Sequence, residues 1–119
     1  SLEQDIMEAI AEGRPGFVKP WISSFALSKM LDDRRDAKKI PHNKRKEILQ
    51  DLGYHYHPAL KAGRSPVVLP TEGGKPRLYV LVGSIADQIA KPSQVVDEFL
   101  KAQSRTDTHN PTAEKFNQG

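Results

Sequence analysis

The sequence predicts an α+β domain in which helices come first, a small antiparallel β-unit follows, and one more helix closes the fold. Three observations lead there. Apolar residues recur at helical spacing through the first half, the period shifts from 3.6 towards 2 after Gly53, and helical spacing returns at Pro92. The 9 Pro and 8 Gly are scattered without a period, which favours short elements joined by turns over a coiled coil, a long-helix bundle or a repeat array. A chain of 119 residues is long enough for one buried core and short for two domains.

The elements follow in order. Leu2, Ile6, Ala9 and Ile10 share a helical face, Ser1 and Gln4 have capping-box spacing, and Gly13 can supply a left-handed stop, so a first helix is expected over about 2–12. Arg14-Pro15-Gly16 breaks it, and Phe17, Val18, Trp21 and Ile22 then read as a packed connector with room for a short strand. Ser23 or Ser24 can cap a second helix, about 24–32, with Leu27, Met30 and Leu31 facing inward. A basic loop over 33–42 leads through Ile40-Pro41-His42-Asn43, which offers a cap, into a third helix. Its inward residues are Ile48, Leu49 and Leu52 and it ends at Gly53. Tyr54-His55-Tyr56-His57 alternates, and Val67-Val68-Leu69 and Leu78 through Val82 are β-prone, with Pro70 to Pro76 between them. A hairpin with a Gly73-Gly74 tip is expected there, short near its tip because of the prolines and mobile enough to let Lys75 approach a partner closely. Ser84 and Asp87 can cap a short turn, and Pro92 opens a helix to about 102 with Val95, Val96, Phe99 and Leu100 on one face. The domain is expected over 2–102, with 103–119 a flexible polar tail or linker.

Charge is unevenly placed. Residues 1–28 carry net −2, residues 29–77 net +6 and residues 78–119 net −1. In the middle segment Arg34, Arg35, Lys38, Lys39, Lys44, Arg45 and Lys46 stand against the single acid Asp36. Such a run fits either a solvated surface or a polyanionic partner. Lysine and arginine in the first turns of the third helix oppose its macrodipole by roughly a few tenths of a kcal/mol, which points to a demand other than helix stability.

Helix, helix, basic connector, helix and a β-unit with a glycine tip is an order that, over residues 2–82, resembles a winged helix-turn-helix domain. The resemblance implies that the third helix presents its N-terminal half to a DNA major groove while the hairpin, the wing, reaches the backbone or minor groove. The DNA-binding residues it implies are Lys38, Lys39, Lys44, Arg45, Lys46 and Gln50 on the third helix and its approach, with Arg64, Lys75 and Arg77 on the wing side. Gln50 could read a base edge, although an exposed glutamine on a helix is usually only solvated. The strings Leu52-Gly53-Tyr54, His57-Pro58, Gly63-Arg64 and Gly73-Gly74-Lys75-Pro76-Arg77-Leu78-Tyr79-Val80 also resemble the C-terminal winged-helix end of phage and prophage primase-helicase replication proteins. That resemblance implies an excised module whose parent's nucleotidyl-transfer and ATPase chemistry lies upstream.

Enzymatic readings find little support in the residues, and no cofactor or metal is expected. Gly73-Gly74-Lys75 lacks both the earlier Gly and the following Ser/Thr of a phosphate-binding loop, and Pro76 stands at the Ser/Thr position. His55 and His57 would leave one face of a strand, which permits metal binding, but only His42 precedes the tail as a further histidine. Tyr54 and Tyr56 would face the other way, as core residues or base-stacking platforms, and Trp21 is expected in the core. There is no Cys to act as nucleophile. No apolar run approaches the ~18 residues of a membrane span, and with no Cys and no charged-then-apolar leader a cytoplasmic protein is expected. Two functions remain, a DNA-binding module, with duplex or forked DNA and other domains of a replication protein as candidate partners, and a protein-association module that docks an acidic surface. Salt dependence separates them.

Overall fold

The computed structural model describes residues 1–34 and 40–108. Helix α1 (Leu2–Glu12) is capped as its sequence requires. The Ser1 hydroxyl accepts the Gln4 N–H, and Gly13, at φ 64°, closes the other end. Strand β1 (Trp21–Ser23) runs directly into helix α2 (Ser24–Asp32), whose cap is the Ser23 side chain accepting the Phe25 N–H at 3.2 Å. Helix α3 (His42–Asp51) follows, then strand β2 (Tyr54–Tyr56), a long connection over 57–77, strand β3 (Leu78–Leu81) and helix α4 (Pro92–Thr108). Among the described residues no helix is long and apolar enough to cross a membrane.

The three strands form one antiparallel sheet in the order β1-β3-β2, with Trp21 opposite Val80 and Tyr56 opposite Tyr79. Alternation along the strands assigns each side chain to one of two faces. Ile22, Tyr54, Tyr79 and Leu81 lie on the face covered by α1, α2 and α3, where Ile6, Leu27, Leu31 and Leu49 meet them. Trp21, Leu78 and Val80 lie on the other, packed with Val95, Val96 and Phe99 of α4. Every expected core residue is in or against one of these clusters. Ile10, Met30, Ile48, Leu52 and Leu100 are half-buried at the margins.

Three expectations need correction. The hairpin over 67–82 is absent as a strand pair. Val67 and Val68 are 50% and 59% exposed, and only the isolated bridge Leu69–Gly74 joins the two arms. Pro66 and Pro70 have no N–H to give to a ladder, and both edges of β3 are occupied by β1 and β2. The glycine tip is anchored: Glu72 accepts the Ser23 hydroxyl, Gly74 lies so close to the Phe25 ring that a Cβ would sit 2.8 Å from it, and the positive φ belongs to Gly73. The expected cap at the start of α3 is also missing, since Pro41 occupies the N-cap position without a side-chain hydrogen bond.

The third correction concerns the C-terminal end. The closing helix reaches Thr108, past the expected boundary at 102. Ala102 and Gln103 are buried, and the Gln103 side-chain amide oxygen, Oε1, accepts the Gly16 N–H at 3.1 Å. Residue 103 therefore belongs to the folded part, while 109–119 lie outside the described residues. Gly16 has φ 83°, and a Cβ there would fall 2.1 Å from that of Ala26. Gly16→Ala combines left-handed strain with a clash against the Ala26 methyl, which has no rotamer by which to move away. It is expected to cost about 3 kcal/mol and to lower the thermal midpoint by roughly 10 °C or more in a calorimetric scan.

Candidate nucleic-acid interface

Cross-strand pairing of Tyr56 with Tyr79 brings their rings to 4.8 Å and builds the floor of a groove of about 470 Å³. One wall is the start of α2, with Ser24, Phe25, Leu27 and Ser28. Arg45 of α3 and Arg77, the residue before β3, supply the charge. Ser24 and Arg77 are locked together: the Ser24 N–H donates to the Arg77 carbonyl at 2.9 Å, and the Arg77 N–H donates to the Ser24 hydroxyl at 2.8 Å. The Arg77 guanidinium is steadied by a 3.0 Å bond to the Ala62 carbonyl and stands 5.5 Å from the centre of the Tyr56 ring. Lys46 Nζ lies 5.3 Å from the same ring. Two cations thus lie within cation–π distance of one aromatic ring.

Arg45 is half-buried, with its Nε shielded from solvent and without a hydrogen-bond acceptor. Leaving a buried donor unsatisfied costs about 1–3 kcal/mol, so this side chain stands where an acceptor would be welcome. Burial pushes the Tyr79 hydroxyl above the usual tyrosine range, and the neighbouring Tyr56 hydroxyl pushes the same way against the opposing charges of Arg77 and Arg45. Among the described residues no carboxylate lines the groove.

Among the other expected residues, Lys44, Lys46 and Gln50 are exposed on α3. Arg64 and Lys75 are exposed too, but they line a second groove of about 560 Å³ over Leu60, Pro66 and Pro92, where Lys61 joins them. Arg64 and Arg77 form a backbone bridge between the two grooves. Lys38 and Lys39 lie outside the described residues. Among the described residues, none of Lys44, Arg45, Lys46, Arg64, Lys75 and Arg77 is ion-paired, whereas Arg34 is paired with Asp5 of α1. Ser24, Ser28, Phe25 and Tyr79 were not foreseen as site residues. The available signal was Phe25, an aromatic off the Leu27, Met30, Leu31 stripe and 41% exposed.

The histidines do leave the sheet on one side, as expected. His57 is buried and stacked on Trp21, its Nε2 donates to the Ala86 carbonyl at 2.7 Å, and its Nδ1 accepts the Ala59 N–H at 3.0 Å. Both ring nitrogens are spent, which makes it a core residue. His55 pairs with Asp87 at 2.8 Å. Burial works to raise the Asp87 carboxyl, but the Gly83 N–H and His55 outweigh it and hold the group below the usual aspartate range. No protein-family model, no curated protein and no solved structure matches the chain.

Burial raises Tyr54 as it does Tyr79. The folded protein therefore keeps both protons at a pH where the unfolded chain, with tyrosines near ~10, has lost them. Stability from this source is complete below that value and falls as pH rises through it. An alkaline absorbance titration is expected to show these two hydroxyls ionising late, together with loss of the folded circular-dichroism signal.

Proposed function

We propose that this chain is a DNA-binding module of winged-helix architecture from a phage or prophage replication protein. The observation that carries the DNA reading is the gathering of cations without ion-pair partners around α3 and the β2–β3 connection, in a chain whose flanking segments are net negative. The order α1-β1-α2-α3-β2-β3 with sheet order β1-β3-β2 supports the architecture. In that arrangement the wing is the whole connection 57–77, anchored at its tip, and α3 is the recognition helix with Lys44, Lys46 and Gln50 on its outer surface. The strings whose resemblance suggests a primase-helicase parent fall on the α3–β2 turn, on this connection and on β3. Lysines position the duplex by phosphate contact, and Gln50 is the side chain placed to meet a base edge. The reading assigns no catalysis to this chain.

Fluorescence anisotropy with duplex, single-stranded and forked DNA at two salt concentrations tests the reading. The intact chain is expected to lose affinity steeply with salt through counterion release. The pair of substitutions Lys44→Ala and Lys46→Ala is expected to lower affinity about tenfold and to flatten the salt slope by roughly one unit per lost contact. Lys75→Glu, on the wing, is expected to weaken binding at low salt, where charge contacts are least screened. Absence of DNA binding, or a folded double variant with unchanged affinity and slope, overturns the reading in favour of an acidic protein surface as partner.

A further inference from the structure

We infer that the groove between α2, Arg45 and the β2–β3 pair is a seat for a single phosphate group of a nucleic acid. The inference deepens the DNA reading and rests on it for the identity of the ligand. Four observations converge. Arg45 lines the groove, and its Nε–H, shielded from solvent, has no acceptor among the described residues. Arg77 faces the same space, its guanidinium oriented by one bond to Ala62 and with further N–H groups to give. Among the described residues the rest of the lining offers hydroxyls from Ser28, Tyr56 and Tyr79 and no carboxylate to compete with an anion. Phe25, exposed at the groove, presents a ring to the sugar or base that a phosphate brings with it.

A surface lysine takes a phosphate as a point charge from any direction, whereas two guanidinium forks in a groove accept an oxyanion in a fixed geometry. Such a seat locks the duplex or strand in register on α3. The phosphate can be an internal phosphodiester or a terminal phosphomonoester, and the two differ in what the experiment reads.

The test has two arms. In the first, inorganic phosphate is titrated into the intact chain while the arginine Nε–H resonances are followed by NMR. The Arg45 signal is expected to move saturably, with no such shift on adding sodium chloride to the same ionic strength. In the second, affinity for 5′-phosphorylated and 5′-hydroxyl oligonucleotides is measured for the parent chain, Arg45→Gln and Arg45→Lys. Arg45→Gln is expected to bind about tenfold more weakly with no fall in thermal midpoint, because it removes an unsatisfied donor. Arg45→Lys, which keeps the charge without the fork, is expected to restore only part of the affinity and guards against a misfolded Gln variant. A penalty confined to 5′-phosphorylated ends assigns the seat to a terminal phosphate, and an equal penalty on both assigns it to the internal backbone. An Arg45 resonance unmoved by phosphate, or Arg45 variants that bind as the parent does, overturns the seat and leaves the DNA reading standing. A saturable phosphate shift in a chain that binds no DNA overturns the nucleic-acid ligand named here along with the DNA reading.

Discussion

Because successive side chains on a strand point to opposite faces, a strand at the centre of a sheet that is covered on both sides has to be apolar throughout. β3 meets that requirement with Leu78, Tyr79, Val80 and Leu81, and the rest of the molecule is arranged by it. Tyr79 and Leu81 face the three-helix layer while Leu78 and Val80 face α4. Two elements far apart in sequence, β1 and β2, must both reach this strand to satisfy its backbone groups. Neither edge strand exceeds three residues. Such short edges offer little template for pairing with another chain.

The same strand sets the geometry of the groove. Tyr79 lies opposite Tyr56, and Arg77 continues the line of β3 past its hydrogen-bonded end into the mutual Ser24–Arg77 pair. One backbone contact therefore fixes three things together: where α2 begins, where the Arg77 side chain emerges, and how far it stands from Arg45. The β1-to-α2 junction has no linker, so a shift in the sheet is passed directly to the helix start.

Much of this was legible in the sequence, where local chemistry decides the outcome. Ser1, Gly13, Ser23 and Gly53 mark the helix ends because caps and left-handed stops depend on neighbouring residues alone. The inward faces of α1, α2 and α4 follow from spacing. What escaped depends on partners distant in sequence. Val67-Val68-Leu69 has the composition of a strand, yet a strand needs a free neighbour, and β3 had none left. Trp21–Ser23 has a weaker pattern and is a strand because it won that place. In the sequence Arg45 is one basic residue of α3 among several, and only the fold shows it lining one groove with Arg77 and two tyrosines. Gln103 was read as the start of a polar tail because its partner, the Gly16 N–H, lies at the other end of the chain.

The connection 57–77 is closed by nested clasps. The His57 N–H bonds to the Leu78 carbonyl, the Ser65 N–H to that of Pro76 and the Leu69 N–H to that of Gly74, each pair enclosed by the one before. The entropy lost in closing a loop depends on the length of free chain between its ends, so each clasp shortens the chain that the next has to confine. Held this way, the connection is divided into short free stretches, and the entropy of closure is spread over three contacts instead of falling on one loop of the full length.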